Sequence, residues 1–324
     1  MNIETRAILA AVHDALRSAV PEGDEDDIAL AAYWLIQAEL LGMPEFGIRM
    51  LARDLERLDG VTRGSSTAAD DGAAIGAVDA TGTPGVVALA SAVRRASRGV
   101  DAHGLAIVGL RGAGALGVLG LAARELASRG SVALLAAQSP AAVAPWGAHT
   151  AAIGTNPLAV GVPRADAPPL VIDYATSALT LAAVRAARGA GTLLPDGTAI
   201  DADGDVTTDP AAVAAILPSG LVGSLTGLVV ELLAGVAVGG RVTDQGLPST
   251  RGAVLIAFDP ARAGGADAAS AASALDRDWR AAGGHLPARF DALPTDAADL
   301  PASVEVSDDA VSWLRDRTPE APHA

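Results

Sequence analysis

Between residues 77 and 191 the chain alternates helix-like and strand-like segments, and this alternation constrains the fold of its 324 residues more than any other feature. ALASAVRRASRG has apolar residues at helical spacing, LAIVGL is a short apolar run, VLGLAARELASRG is helical again and SVALLAAQS is a second apolar run. LAVGVPR and PLVIDYATS then read as strands, and LTLAAVRAARGAG as a helix. Short apolar runs bounded by glycine or proline suit strands buried between layers, and the helices beside them must cover the sheet. Residues 1–60 read instead as helices. IETRAILAAVHDALRSAV and DEDDIALAAYWLIQAELLG both show helical periodicity, the second behind an acidic first turn. Residues 59–76 read as an exposed loop or hinge, and ALPTDAADLPAS near the end as a loop. The expected class is mixed α/β.

Composition narrows the chemistry. All 23 basic residues are arginine, so Schiff-base chemistry, a Walker lysine and a lysine general base are excluded. The absence of cysteine removes thiol nucleophiles, disulfides and thiolate metal sites. No two of the five histidines have metal-ligand spacing, so no metal site is expected. A formal charge of -15 repels phosphate backbones and anionic lipid headgroups, which argues against nucleic acid and membrane as partners. Residues 211–240 carry only Glu231, but Pro218, Gly220, Gly223 and Gly227 interrupt them. They read as a buried helix or strand–helix passage and not as a membrane span. The N-terminus is acidic and amphipathic, without a basic start and apolar core, and the expected location is the cytoplasm.

One motif invites a dinucleotide-binding reading. Gly112-x-Gly114-x-x-Gly117 lies between a strand pattern and a helix pattern, where a backbone can approach a pyrophosphate. The following strand, however, ends in Gln138-Ser139, where an acidic residue should hold the ribose hydroxyls. The motif also follows a long helical region. Small-residue helix packing explains the same glycines.

Downstream motifs carry a more specific message. Pro145-Trp146-Gly147, Gly154-Thr155-Asn156-Pro157, Asp173-Tyr174-Ala175-Thr176-Ser177, Pro195-Asp196-Gly197, Thr207-Thr208-Asp209-Pro210 and Glu231-Leu232-Leu233-Ala234-Gly235 occur in one order. This set resembles the non-Rossmann malate/L-lactate dehydrogenase family, which includes sulfolactate and ureidoglycolate dehydrogenases and piperideine-carboxylate reductase. The resemblance implies NAD(P)H-dependent reduction of a 2-keto acid or cyclic imine and an obligate homodimer. It also implies a non-Rossmann cofactor domain on a large mixed sheet (residues 77–259) and a helical substrate and dimerisation domain from both termini (residues 1–60 and 260–324). Ser139, Thr155, Asn156, Asp173, Ala175, Thr176 and Ser177 fall where the family lines its cofactor cleft, although Thr176 or Ser177 could equally serve as a strand-to-helix cap.

The family's catalytic signatures are altered. Where the family has Ser-His-Gly this chain has Glu45-Phe46-Gly47, and the arginine expected beyond it is Met50. Asn, Ser and His of the second signature become Gly112, Ala113 and Ala115. The lysines expected after the Ala-Thr-Ser motif and in a later Lys-Gly pair are Ala183 and Val222. Reduction of a carbonyl or imine needs a proton donor, which phenylalanine is not. Glu45 beside Phe46 in an apolar pocket is a candidate acid or base with a raised pKa, and Arg49 a candidate cation; a solvent-exposed Glu45 on a loop is the alternative. His149 is the best-placed imidazole, or else a loop histidine bonded to backbone. Phe46, Met50, Arg111, Gly112 and Ala115 are the expected pocket residues, with Arg111 an anion anchor or a surface arginine.

Three functional readings follow. The first is a dismantled hydride-transfer site, repurposed with an enlarged apolar pocket for cyclase, lyase or isomerase chemistry. The second is a retained NAD(P)H-dependent reductase with a different proton donor. The third is a non-catalytic relative.

Overall fold

A computed structural model of the chain describes residues 1–61, 72–240 and 251–318. Most of the expected loop at residues 59–76 therefore lies outside the described residues. The chain opens with a short strand β1 (Asn2–Glu4), then helices α1 (Thr5–Ala19), α2 (Glu25–Leu40) and α3 (Ile48–Leu58). Asp24 caps α2 by accepting the Asp26 amide at 3.0 Å, and three acidic residues in the first turn complement the helix dipole.

Next come β2 (Ile75–Asp79), α4 (Gly85–His103), β3 (Leu105–Ala113), α5 (Leu119–Ser128), β4 (Val132–Ala137), β5 (Leu158–Val162), β6 (Leu170–Tyr174) and α6 (Leu181–Ala190). Two-residue strands β7 (Ala199–Ile200) and β8 (Ala215–Ile216) pair with each other. α7 (Gly220–Val230) runs into a wider π-type turn over Glu231–Ala237; β9 (Arg251–Phe258), α8 (Ala268–Ala281), β10 (Ser303–Glu305) and α9 (Asp308–Arg317) complete the chain.

The main sheet has the order β2-β3-β9-β4-β5-β6 among the described residues. Only β2–β3 is parallel; β9 lies antiparallel to both β3 and β4, and β4–β5–β6 is an antiparallel meander. This mixed sheet decides the glycine motif. In a βαβ unit β4 would pair beside β3, whereas here β9 separates them. A Cβ on Gly114 would collide with the Asp54 carboxylate, so that glycine admits a protein side chain and not a pyrophosphate.

The two ends of the chain meet. β1 pairs antiparallel with β10 (Ile3 opposite Val304), and the Met1 amine donates to the Val306 carbonyl at 2.7 Å. α1 packs on α2, and α2 on α4, so one apolar core runs from Ile8 and Leu16 through Leu35 and Leu89 to Leu110 and Leu135. Three side chains fasten the segment near Pro294 to this core. Tyr33 Oη (2.8 Å), Gln37 Nε2 (3.1 Å) and Arg124 Nη1 (3.0 Å) all donate to the Pro294 carbonyl. Burial pushes the Tyr33 phenol up to about 12, so it remains a donor at any ordinary pH.

Residues 211–240 depart from expectation. Their second half is a helical stretch, Gly220–Ala237, long and apolar enough to cross a membrane, but only a third of it is buried. One side is held on the sheet: Glu231 accepts from Gln138 Nε2 at 2.7 Å and from Asn156 Nδ2 at 2.9 Å. The opposite side exposes Leu221, Val222, Leu225, Leu228 and Val229. Its apolar character is a surface property of the chain and not a mark of its core.

Candidate active site

A cleft of about 340 Å³ opens where α3, the β3–α5 connection, the end of β6 and the start of α6 converge. It brings together, from the residues singled out in the sequence, Glu45, Phe46, Met50, Ala115, Ser139, Thr155, Asp173 and Ala175. A second, more open hollow of about 670 Å³ shares Glu45, Arg53 and Arg185 with it.

The first signature is built around a buried acid. Glu39, at the end of α2, accepts the Ile48 amide at 2.8 Å and so satisfies one of the unpaired donors at the start of α3. Burial raises its pKa. Glu45 does not lie in the apolar setting expected for it. Arg53 Nη1 contacts its carboxylate at 2.9 Å and Arg49 Nη1 at 3.4 Å, because α3 places both guanidiniums on that side. Arg49 itself turns away from the cleft and forks onto Asp309 of α9 at 2.9 and 2.8 Å.

The second signature loop is tied to α3 through Asp54. Its buried carboxylate accepts from Gly85 N (2.8 Å), Ala115 N (3.2 Å) and Arg57 Nε (3.0 Å). Gly112 and Arg111 are outside the cleft; Arg111 is exposed and pairs with Asp79 at 3.0 Å. His149 is also exposed, beside Gly204, and does not reach the cleft.

On the opposite wall, Ser139 Oγ and Thr155 Oγ1 lie 3.1 Å apart. Asn156 is fully buried with φ +36°, a conformation asparagine tolerates better than most residues. Its Oδ1 accepts from Ser139 N (3.0 Å) and its Nδ2 donates to Gly227 O and Glu231 Oε2 (2.9 Å each). Asn156 thus positions the wall without lining it. Thr176 and Ser177 are likewise buried and spent on the backbone carbonyls of Thr155 and Leu179.

Asp173, at the end of β6, lines the cleft with Glu45 and Asp54 but, unlike them, is not paired with an arginine of α3. Its Oδ2 accepts the Gly120 amide at the start of α5 (2.9 Å) and lies 3.5 Å from Arg289 Nη2. Burial raises its pKa above the usual carboxylate range; the Gly120 hydrogen bond and Arg289 counteract this only in part.

The lining is charged. Besides Arg289, the cleft is walled by Arg53, Arg57, Arg185 and Arg251, with Glu45, Asp54 and Asp173 as the acids. The expected enlarged apolar pocket is therefore not what the chain builds. Where the resemblance implied lysines and an arginine at other positions, the cleft is lined by arginines. Among these, Arg185 lies one helical step beyond the altered Ala182-Ala183 pair, a shift visible in the sequence. Arg251 has no local sequence cue. Among the described residues no cluster of three or more metal-ligating side chains occurs.

Comparison with known proteins agrees with this geometry. Residues 6–284 match the family described as malate/L-lactate dehydrogenase. The chain belongs to that family. It is 34% identical over 240 residues to the (2R)-3-sulfolactate dehydrogenase (NADP(+)) of Chromohalobacter salexigens, covering 70% of this chain and 72% of that one. It is 36% identical over 200 residues to a Delta(1)-pyrroline-2-carboxylate/Delta(1)-piperideine-2-carboxylate reductase of Pseudomonas putida, 58% of this chain and 59% of the relative. Its fold superimposes on the crystal structure of delta1-piperideine-2-carboxylate reductase from Pseudomonas syringae pv. tomato with a TM-score of 0.78 at 26% identity, over 98% and 99% of the two chains.

These relatives overturn the reading of the altered signatures as a dismantled site turned to cyclase, lyase or isomerase chemistry, and equally the non-catalytic reading. Relatives at this identity are named dehydrogenases and reductases, and the chain is supported as an enzyme of the same oxidoreductase family. The physical reason the signatures misled is local. Phe46 and Met50 stand at two positions where the resemblance led one to expect a donor and a cation, while the same cleft is lined by Asp173 and by arginines from other elements.

Proposed function

We propose that the chain is an NAD(P)H-dependent reductase of a small 2-oxo acid or cyclic imine carboxylate, with Asp173 delivering the proton. The observation that carries this is the placement of Asp173: a buried carboxyl at the cleft wall, with Oδ2 engaged by Gly120 and Arg289 and Oδ1 left to hold a proton. Reduction creates an alkoxide or amine anion at the reacting atom, and a carboxyl whose pKa burial raises can deliver the proton that neutralises it. Arg289, beside Asp173, supplies a cation for the substrate carboxylate.

The donor set fits a nicotinamide nucleotide: hydroxyls at Ser139 and Thr155 and guanidiniums around them suit carboxamide and phosphate groups, and Arg251 Nε is buried without a hydrogen-bond partner. Such a cofactor would supply the hydride. The chain's residues exclude water through Phe46, Met50 and Leu116, orient the acid group and hold the proton at Asp173.

The enzyme is further assigned to the cytoplasm as a homodimer. Support for the dimer comes from the exposed apolar side of Gly220–Ala237, a contiguous face of the kind that marks protein–protein contacts. That face belongs to the sheet-bearing residues 77–259, so the dimer contact is assigned there and not to the terminal helices (residues 1–60 and 260–324).

The test is a titration with NADH and NADPH followed by nicotinamide fluorescence, then turnover assays with 2-oxo acids and cyclic imine carboxylates. Micromolar cofactor binding together with turnover supports the reading. Absence of binding at millimolar cofactor overturns it.

A further inference from the structure

We infer that Arg185 and Arg251, backed by Arg57, form an oxyanion subsite in the cleft, separate from the Asp173–Arg289 pole, which takes a second acidic group carried either by the substrate or by the cofactor. This deepens the proposed reductase function and rests on it for the identity of the ligand, though not for the existence of the subsite.

The arginines are placed by the fold and not by any family motif. Arg251 opens β9 opposite Ala113, where β3 enters the altered second signature. Arg185 projects from α6. Neither makes a hydrogen bond or ion pair with a described residue, and Arg251 Nε is buried with no acceptor. Among the described residues, the charges that act on Arg251 are Asp54, Arg57 and Arg185. Those acting on Arg185 are Arg53, Glu45 and Arg188. Among the described residues, each nearby acid is already committed: Asp54 to Gly85, Ala115 and Arg57, and Glu45 to Arg53 and Arg49.

Clustered guanidiniums of this kind repel one another. Burial and its cationic neighbours push the Arg251 guanidinium down to about 10, where it is still charged at neutral pH. In a chain whose net charge is -15, five arginines against three acids among the described residues around one cleft make a local positive field. A charged side chain left buried and unpaired is costly unless a ligand completes it. Guanidiniums present paired N–H donors that match carboxylate, sulfonate and phosphate oxygens. Among the described residues, Arg289 is the guanidinium within ion-pair distance of Asp173 (3.5 Å), whereas Arg57 is engaged by Asp54 on the other side. The cleft thus has two cationic poles, and a monoanionic substrate would occupy one of them.

The experiment uses the full chain, with R185Q, R251Q and the charge-conserving R251K, and Arg111→Gln as a surface control. Inorganic phosphate is titrated by calorimetry and by its effect on melting temperature. The expected result is phosphate binding to wild type that falls tenfold or more in R185Q and in R251Q, is largely retained in R251K and is unchanged in R111Q. Without phosphate, R251Q melts no lower than wild type, because a like charge has been removed. A merely structural role predicts the reverse: a lower melting temperature with phosphate affinity intact, which overturns the subsite. If R251Q does not fold, R185Q and R251K decide by the same criterion.

A second arm identifies the source of the oxyanion. KM is compared for oxaloacetate against pyruvate and for NADPH against NADH. A tenfold loss confined to oxaloacetate in R185Q and R251Q assigns the group to the substrate, and one confined to NADPH assigns it to the cofactor. Equal shifts for both members of each pair overturn the inference. Phosphate binding lost in the variants while no substrate turns over leaves the subsite standing and the reductase reading failed.

Discussion

Glu39 Oε1 accepts the Ile48 amide at 2.8 Å, and the same carboxylate occupies the space that a side chain on Gly47 would need. The last turn of α2 therefore caps α3 through a side chain nine positions away in sequence, and the glycine between them is the condition for that cap. The glycine of the first signature survives here for packing, whatever happened to the histidine beside it.

Gly47→Ala is accordingly expected to destabilise the fold by about 1–3 kcal/mol, the usual cost of overpacking a site that cannot give way. The Cβ would push Glu39 off the Ile48 amide, leaving an acid buried without its donor. Urea denaturation of wild type and G47A measures this. Unchanged midpoints would show that Glu39 has room to move.

Asp173→Asn should leave cofactor binding nearly intact while lowering kcat by about 100–10,000-fold, the range that general acid catalysis supplies. Burial raises the Asp173 pKa, so the wild-type rate should fall as pH rises through a value above the ordinary carboxylate range. The pH profile of kcat in wild type shows this limb, and D173N should lack it. A D173N enzyme with wild-type kcat would remove Asp173 from the reaction.

Acid stability tests a different pair. Arg49 holds the Asp309 carboxyl at about 2, well under its usual 3.8. A lowered pKa in the folded state contributes stability that is present above about pH 4 and is lost as pH falls toward 2. Glu39 and Asp173 have raised pKa values and act with the opposite sign, favouring the fold at low pH and losing that contribution as pH rises. Chemical denaturation from pH 7 to 2 should show Asp309→Asn less stable than wild type at neutrality, with the two curves converging toward pH 2. The gap should be small and salt-sensitive, because both side chains are partly exposed.

The elements that were legible in the sequence are those whose pattern is local. Helices α4, α5 and α6 and strands β3 to β6 follow from periodicity, and the ordered Gly-Thr-Asn-Pro and Asp-Tyr-Ala-Thr-Ser motifs follow from the backbone geometry they serve. β9 was not legible as a central strand. Its partners β3 and β4 precede it by more than a hundred residues, and nothing in RGAVLIAF marks an insertion between them. The site split along the same line. Glu45, Phe46, Met50 and Ala115 come together as the resemblance implied, whereas Arg49 and His149 face elsewhere because helix phase and loop path set their directions. Arg185 and Arg251 were missed since only the assembled sheet and α6 bring them to one cleft. The loss of lysine and histidine from the signatures looked like loss of chemistry because the acid and arginines that line the cleft reach it only through the tertiary structure.

The exposed side of Gly220–Ala237 yields the last prediction. Val222 is 76% exposed, and Leu225, Leu228 and Leu232 are about half exposed, while Glu231 and Val230 on the other side are buried against the sheet. A single exposed leucine is ordinary, but a row of them along more than four helical turns is not. If this side is the contact between two copies, Leu225→Glu places a charge in a desolvated interface and should shift the protein from dimer to monomer in light scattering. Because the side chain is half exposed and is not among the buried core residues, the secondary structure by circular dichroism should be unchanged. A dimer that persists in both L225E and Val222→Asp would place the contact on another face, and a monomeric wild type would show that this apolar side has no second copy against it.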